Sequence, residues 1–341
     1  MPKSSSKVTI YEVADEARVA ISTVSRVLNG SSEVSDATRA RVQAAIEKLE
    51  FQPQRIAKSL AQQSTTSLAV ALPSATSLFY VEMLKGVKDV LRDRDIDLLL
   101  CNLGSSHPEQ TLQRFIGRGA VGGLLLISLP LDEGLEQQLR RMHAPVVLIG
   151  SRNEHFDSFW WDDEAGARLA TERLIELGHR RIGIITSQAW SYAAEPRLRG
   201  YRSALDAAGI PFDPELVAIG TTTKHAGFSE EAGAEAMATL MAVDDVPTAV
   251  FASSDVQAYG AWAYARDQGH RVPHDVSIMG YDDVKLSRYL DLTAVNQRMQ
   301  EVGRRATERL MDRMGTPDDE RLDVQVELDI NERGSTGPLA S

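Results

Sequence analysis

The chain has 341 residues, of which 43% are hydrophobic and 25% are charged, so it is long enough for roughly two or three domains. This composition excludes collagen-like, low-complexity and largely disordered proteins. The formal net charge is -11, but residues 1–62 hold nine Lys and Arg against seven Asp and Glu. These residues therefore carry +2 and the remainder -13, so only the amino-terminal part is suited to approach nucleic acid.

The sequence shows neither a membrane span nor a secretion signal. No apolar run approaches the ~20 residues that cross a bilayer, and the first residues, Met1 to Lys7, are polar. We therefore expect a cytoplasmic protein. A single cysteine, Cys101, excludes an intramolecular disulfide, and its apolar neighbours favour a buried strand residue over a reactive thiol.

Residues 1–52 have the pattern of three short helices. Thr9-Ile10-Tyr11-Glu12 fits a capping box that begins a first helix. A second helix spans Ile21 to Leu28, and Ser35 caps a third. Apolar residues at helical spacing are expected to form one shared core: Ile10, Val13, Ala14, Ala17, Val24, Val27, Leu28, Val42, Ala45, Ile46 and Leu49.

Residues 53–66 separate this head from the rest of the chain. Pro53 interrupts the helical pattern, Arg55 to Leu60 is a further short helical segment, and a polar stretch follows it. The pattern predicts a short helix and a linker.

From residue 67 onward, apolar runs of strand length alternate with amphipathic helices such as Val81 to Leu91, Ala167 to Leu177 and Gln257 to Gln268. Continuous apolar strands between helices indicate parallel α/β sheets covered on both faces, and the number of strands fits two sheets better than one. Ligands of such sheets lie beyond the carboxyl ends of the strands. The predicted strands are Leu68 to Leu72, Ile96 to Cys101, Val121 to Ile127, Val146 to Ile149, Ile182 to Thr186, Val217 to Ile219, Ala249 to Ala252 and Val276 to Met279.

The second helix carries a row of short polar side chains. Ile21, Ser22, Ser25 and Arg26 share the face opposite its buried valines, and such a helix fits the major groove of DNA. Arg26 can bind guanine in a bidentate manner, and Ile21 can pack on a thymine methyl group. The same periodicity fits an ordinary solvated helix face equally well.

Several motifs together resemble the LacI/GalR, or lactose-repressor-like, family of bacterial transcription regulators. In the head they are Val8-Thr9-Ile10-Tyr11-Glu12-Val13-Ala14, Thr23-Val24-Ser25-Arg26-Val27-Leu28-Asn29-Gly30, and Val34-Ser35 through Thr38-Arg39. Further along they are Leu177-Gly178-His179-Arg180-Arg181-Ile182, Arg197-Leu198-Arg199-Gly200-Tyr201, Arg271-Val272-Pro273 and Gly280-Tyr281-Asp282-Asp283. The resemblance covers nearly the whole chain. It implies a helix-turn-helix head, a hinge helix and a two-lobed, Rossmann-like effector domain similar to periplasmic sugar-binding proteins.

The resemblance also assigns residues to DNA contact. Ile21, Ser22 and Arg26 match base-reading positions, and Leu60 matches a leucine that wedges into the minor groove, which kinks the duplex. Arg18 stands where a glycine is usual for its left-handed backbone, and Ala20 replaces a common capping serine. The full predicted DNA-binding set is Thr9, Tyr11, Ile21, Ser22, Thr23, Ser25, Arg26, Asn29, Arg55 and Leu60.

A second set of residues matches the effector site of the family. Arg197 matches a ligand-binding arginine and Asp282 a carboxylate that accepts hydrogen bonds from ligand hydroxyl groups. Taken singly, Asp282 also fits a helix cap, Arg197 a surface salt bridge, and Phe79 or Trp190 an ordinary core residue. Ser254 stands where asparagine is frequent. The predicted effector-binding set is Ser74, Phe79, Trp190, Arg197, Ser254, Asp282 and Gln297.

Other candidate sites have weak support. The glycine-rich segment 117–123 precedes a strand instead of following one, so it does not fit a dinucleotide loop. His270 and His274 flank Pro273 and lack a third ligand, which argues against zinc. No serine stands in a nucleophile-elbow context. We therefore expect no enzyme activity, no cofactor and no metal.

These observations together predict a repressor of carbohydrate-utilisation genes, controlled by a small sugar or sugar derivative between the lobes. Alternatives are a purine or other metabolite as corepressor, or a sugar-binding protein without DNA function. A near-palindromic double-stranded operator requires a homodimer, for which the helix near Tyr80 to Leu91 is the predicted contact. The tail lacks leucine heptads, which argues against a terminal coiled coil. The expected domains are residues 1–52 (DNA binding), 53–66 (hinge), 67–331 (effector binding and dimerisation) and 332–341 (tail).

Overall fold

The structure, a computed structural model, describes residues 8–28, 31, 33–49, 51, 67–104, 107–117, 121–316 and 320–339. The chain divides into two compact units, Met1–Thr66 and Ser67–Ser341, and each is described by itself. Among the described residues, no helix combines the length and the apolar character that a membrane crossing requires.

The amino-terminal unit contains the three predicted helices, α1 (Ile10–Ala17), α2 (Ile21–Leu28) and α3 (Asp36–Lys48). The capping box forms: the backbone N–H of Thr9 donates to Glu12 Oε2 over 2.6 Å, and Thr9 Oγ1 accepts from the Glu12 N–H over 3.4 Å. Ser35 caps α3 through the N–H of Thr38. The buried core consists of Val13, Ala14, Ala17, Val24, Val27, Val42 and Ala45.

The turn between α1 and α2 has a left-handed backbone at Arg18, a conformation that is unfavourable for residues other than glycine. Arg18 has φ 54° and ψ 50°, which is the left-handed conformation that glycine takes without a steric penalty. Ala20 has no side-chain oxygen, and its carbonyl accepts from the N–H groups of Thr23 and Val24 over 2.8 and 3.3 Å. Each departure costs the head about 1 kcal/mol.

The second unit contains two lobes, each built on a six-stranded sheet of described residues. The first sheet has the order β11-β5-β4-β3-β1-β2 and is parallel throughout. Its strands are β1 (Ser67–Leu72), β2 (Asp97–Asn102), β3 (Gly123–Ile127), β4 (Val146–Ile149), β5 (Asp157–Trp160) and β11 (Asp323–Gln325), and its helices are α4 (Leu78–Leu91), α5 (Pro108–Ile116), α6 (Glu133–Arg140) and α12 (Met299–Gly315).

The second sheet has the order β12-β10-β9-β8-β6-β7, in which β12 alone runs antiparallel. Residues 332–339 pack onto this lobe: Ser335 is fully buried, and its hydroxyl accepts from the Thr293 N–H. The strands are β6 (Ile182–Thr186), β7 (Val217–Ile219), β8 (Ala249–Ala252), β9 (Ser277–Asp282), β10 (Thr293–Asn296) and β12 (Asp329–Asn331), and the helices are α7 (Asp163–Glu176), α8 (Ala194–Ala207), α9 (Glu230–Leu240), α10 (Asp255–Asp267) and α11 (Lys285–Tyr289).

All eight predicted strands form, with ends that differ by up to three residues. The prediction of strands covered on both faces is wrong for β2: it lies at the edge of its sheet, and Leu98, Leu99 and Leu100 are 37–48% exposed. Cys101 in the same strand is buried, as predicted. Strands β5, β10, β11 and β12 were not predicted, because polar side chains interrupt each of these short segments and leave no continuous apolar run.

The chain passes between the lobes after β5, β10 and β11, so α12 returns to the first lobe and packs on α4. Two glycines allow the backbones of these helices to touch. A Cβ at Gly86 would lie 2.0 Å from the carbonyl oxygen of Gln300, and one at Gly303 would lie 2.2 Å from that of Met83. The second passage, after β10, is thus followed by close packing of α12 on α4.

We expect Gly86→Ala to destabilise the protein by about 1–3 kcal/mol, because the methyl group would collide with backbone of α12. Helix propensity alone predicts the opposite sign, a gain of about 1 kcal/mol. Urea unfolding measures the difference. Gly315→Ala, at a helical position with nothing within 4 Å, is the control, and equal effects of the two substitutions would contradict the packing argument.

Candidate functional site

Helix α2 presents the predicted base-reading side chains to solvent. Ile21, an apolar residue, is 40% exposed, and Ser22 and Arg26 are also exposed. The opposite face buries Val24 and Val27. The Arg26 guanidinium lies 3.8 Å from Glu33 in an exposed pair, which holds it weakly. Ile21, Ser22 and Arg26 can therefore contact a binding partner without disruption of the buried core of the head.

The other predicted DNA contacts divide into two groups. Thr9 and Tyr11 are exposed, the latter by 64%, and Thr23 and Ser25 are half-buried. The side chain of Thr9 is already bound to Glu12. Asn29, Arg55 and Leu60, together with the whole hinge segment 53–66, lie outside the described residues.

In the second unit, polar residues of both lobes gather at the carboxyl ends of the parallel strands, as the fold predicts. Asp282 ends β9 and Gln297 follows β10. The lobes meet here, because the indole N–H of Trp161 donates to the Gln297 carbonyl over 2.9 Å, and the ring of Trp161 lies 6.0 Å from that of Phe79. We call this region the cleft.

Arg197 is buried at the base of the cleft, so its interpretation as a surface salt bridge is wrong. Its guanidinium donates to Asp163 over 2.8–2.9 Å and to the carbonyl of Ser253, and it stacks 3.8 Å from the ring centroid of Tyr281. Burial alone would lower the pKa of Arg197, but the Asp163 carboxylate and the neighbouring Tyr281 hold it above its usual range. The cation is therefore permanent and fixed in orientation.

Asp282 is held beside this cation by a strained backbone, with φ 122°. Its Oδ1 accepts from the side-chain amide of Gln297 over 2.7 Å. Burial raises the pKa of Asp282 to about 7, although Arg197 and Gln297 oppose the rise. The structure thus brings together three residues that the sequence had placed in one site, at positions 197, 282 and 297.

A second buried carboxylate, Asp255, was missed by the sequence analysis. Its Oδ2 accepts from the N–H of Val284 over 2.8 Å and from the hydroxyl of Ser287 over 2.5 Å. Burial and the charge of Asp282 raise its pKa well above the usual range. The only sequence signal was its position just after β8, which also fits a helix start.

Aromatic rings cover the first-lobe side of the cleft. Phe79 packs edge-on against Tyr80 and Trp161, with centroids 5.0 and 6.0 Å apart. Burial raises the pKa of Tyr80 to about 12, opposed by its hydrogen bond to Ser128. Phe79 was predicted, whereas Tyr80 and Trp161 were not, since nothing in the sequence separates them from core residues.

The remaining predicted residues have different positions. Ser254 accepts from the Gln257 N–H over 3.3 Å and caps α10, so its hydroxyl already has a structural role. Ser74 is buried and lies 3.3 Å from the hydroxyl of Thr76. Trp190 is 53% exposed, so its interpretation as a core residue is wrong.

Three buried hydroxyl groups at the carboxyl ends of strands β4 and β6 have no hydrogen-bond partner among the described residues: those of Ser151, Thr186 and Ser187. Buried polar groups are nearly always paired, so these atoms suit contact with a bound molecule or water. The cleft thus combines one fixed cation, a carboxyl group with a pKa of about 7, an amide, hydroxyl groups and aromatic rings. Such a set fits a small neutral ligand with many hydroxyl groups.

Comparison with known proteins covers both units of the chain. Residues 9–54 match the family described as bacterial regulatory proteins, lacI family. Residues 171–336 match a periplasmic binding protein-like domain. The two matches correspond to the helical head and to the part of the chain that carries Arg197 and Asp282.

Relatives match over almost the entire length. The HTH-type transcriptional regulator CelR of Thermobifida fusca is 35% identical over 339 residues, 96% of this chain and 98% of the relative. The HTH-type transcriptional repressor PurR of Aliivibrio salmonicida is 31% identical over 337 residues, 97% and 99% of the two chains. A solved CelR–cellobiose complex is 34% identical, with a TM-score of 0.68, over 96% of this chain and all of that one.

The buried carboxyl group predicts a pH dependence of stability. Because folding raises the pKa of Asp282 from 3.8 to about 7, the folded state retains a proton that the unfolded state releases. The contribution of this bound proton to the free energy of unfolding is greatest below about pH 4 and is lost as the pH rises to 7. Asp282→Asn removes this titration, so wild type should lose about 3 kcal/mol relative to the variant across that interval.

Urea unfolding of both proteins between pH 4 and 8 measures the difference. Asp312→Asn, at an exposed position of α12, is the control and should follow wild type. If the wild-type and Asp282→Asn curves run parallel, the carboxyl group does not titrate in this interval.

Proposed function

The chain belongs to the LacI family of DNA-binding transcriptional regulators, and we propose that it represses carbohydrate-utilisation genes under the control of a small sugar. The observation that carries this proposal is the buried set of Arg197, Asp282 and Gln297 beside the aromatic rings of the cleft. A fixed cation and an accepting carboxylate can bind the hydroxyl groups of a sugar, and aromatic rings pack on its apolar faces.

Helix α2 is proposed to read the operator in the major groove. The exposed Arg26 would contact guanine, Ile21 a thymine methyl group, and Ser22 a base edge. Thr9, Tyr11, Thr23, Ser25, Asn29 and Arg55 would hold the backbone or support these contacts, and Leu60 would enter the minor groove. Residues 1–52 would then be the DNA-binding domain and 53–66 the hinge.

The effector site is proposed to use the rest of the predicted set. Phe79 and Trp190 supply ring surfaces, and Ser74 and Ser254 lie after the first and eighth strands, at the carboxyl ends where ligands bind. The alternative ligand is a purine or another metabolite that acts as a corepressor. The hydroxyls without partners favour the sugar, because a polyol can donate to and accept from each of them.

A homodimer is proposed from the edge of the first sheet. Among the described residues β2 is the edge strand of the first sheet, and its residues Leu98, Leu99 and Leu100 expose apolar area there. Soluble proteins usually cover such an edge. Helix α4, the predicted contact, buries Met83, Gly86 and Val87 within its own lobe. The second copy is therefore expected to meet β2 and the outward side of α4.

Regulation follows from a difference in affinity. A sugar that binds one arrangement of the lobes more tightly shifts the protein toward that arrangement. A coupling of about 1–3 kcal/mol would change operator affinity between several-fold and over a hundredfold.

The proposal is tested by operator binding. A palindromic site would be selected from random DNA with the full-length protein, and binding measured with and without sugars and nucleobases. Arg26→Ala should weaken binding by about 1–3 kcal/mol and relax the preference at one base pair. Arg266→Ala, at an exposed arginine of α10 in the second lobe, should bind like wild type. Failure to select any palindrome, or release by nucleobases only, would reject the sugar-controlled repressor.

The dimer interface has its own test. Leu98→Lys combined with Leu100→Lys should produce monomers at micromolar concentration in sedimentation velocity and weaken operator binding, because charges would be buried against the second copy. Leu339→Lys, also at an exposed leucine, should remain dimeric. An unchanged dimer in the β2 variant would exclude this edge.

A further inference from the structure

The second lobe carries a surface pocket at the end opposite the cleft. It lies at the amino end of β6, and its wall is formed by the start of that strand, the second half of α8 and residues 210–216. The cleft lies at the carboxyl end of the same strand, about 15 Å away along its five residues. The pocket has a volume of about 400 Å³, which is within the range of small-molecule sites.

The inner wall of this pocket is apolar and fixed in shape. Tyr201 and Leu205 of α8 line it and are buried, and the Tyr201 hydroxyl donates to the Ile182 carbonyl over 2.7 Å. The chain after α8 folds back on the helix, because the N–H of Ile210 donates to the Leu205 carbonyl over 2.9 Å. The pocket is therefore formed before any ligand binds, as small-molecule sites usually are.

One aromatic ring of the pocket is open to solvent. Phe212 is 39% exposed, and its ring meets that of Tyr201 edge-on, with the centroids 6.4 Å apart. The Arg202 guanidinium lies 4.4 Å from the centroid of the Phe212 ring. The pocket thus offers an accessible apolar surface directly beside a positive charge.

Two of the three arginines at the pocket lack a carboxylate partner. Arg181 pairs with Asp213 over 3.0 Å and with Asp245 over 3.1 Å. Arg180 donates to two backbone carbonyls, and Arg202 contacts the neighbouring ring. Within the described part of the chain, no carboxylate lies at ion-pair distance from Arg180 or Arg202. An anionic group in the pocket would therefore meet guanidinium groups that can still form charge-assisted hydrogen bonds.

We propose that this pocket binds a small aromatic carboxylic acid, with its ring against Phe212 and its carboxylate at Arg202. Arg180 supplies further positive charge from the pocket wall. The apolar wall accepts the body of the ligand, and the arginines select the acid over a neutral molecule of the same shape. The site is separate from the cleft, so the proposal goes beyond sugar control and does not depend on it.

The test is calorimetry of the full-length protein with phenylacetate, cinnamate and indoleacetate, each paired with its neutral amide, and with acetate. At least one aromatic acid should bind with a dissociation constant below about 1 mM and about tenfold more tightly than its amide, and acetate should not bind. Arg202→Met keeps an aliphatic side chain but removes the charge, so it should abolish the preference for the acid. Phe212→Ala should weaken the acid and the amide alike.

Arg266→Met, at an exposed arginine of α10 in the same lobe, is the control and should bind the acid as wild type does. The proposal is overturned if no acid binds, if acid and amide bind equally, or if Arg202→Met and Phe212→Ala both leave the affinity for the acid unchanged. The peptide glycylglycylphenylalanine distinguishes a protein terminus from a free acid. If it binds at least about tenfold more tightly than every free acid, the pocket takes a protein partner and the small-molecule proposal is wrong.

Discussion

The structure of the cleft depends on the burial of two ionisable groups next to each other, the carboxyl group of Asp282 and the guanidinium group of Arg197. Neither group can be solvated by water, so each must be satisfied by protein atoms. Asp163 and the Ser253 carbonyl satisfy Arg197, and the Gln297 amide satisfies Asp282. The two groups lie on different elements, α8 and β9, so they come together only when these elements pack in the folded lobe.

The same network reaches the contact between the lobes. Asp255 holds the backbone of Val284, whose side chain belongs to the apolar core of the first lobe. The next residue, Lys285, donates its backbone N–H to Glu82 of α4 over 3.4 Å. A ligand that changes the charge or position of Asp282 therefore acts on groups that also join the lobes. Such a shared element is what coupling between binding and lobe arrangement requires.

Much of the site could be anticipated from local patterns. Arg197, Asp282 and Gln297 were named because they match a family motif or follow strands, and the structure gathers them. Asp255, Tyr80, Trp161 and the unpaired hydroxyls could not be named, since their significance depends on burial and on missing partners. Ser254 shows the reverse case, in which a residue after a strand caps a helix.

The sequence alone was sufficient to predict the three helices of the head, the alternation of strands and helices in the second unit, and the family. These predictions depend only on hydrophobic periodicity and on short motifs. Strands β5, β10, β11 and β12, the exposure of β2 and the three passages between lobes depend on contacts between residues distant in the chain. Long-range pairing and burial place the four short strands and set the charge state of Asp282. The local sequence does not show long-range pairing or burial, because both depend on neighbours that are distant in the chain and come together only in the folded protein.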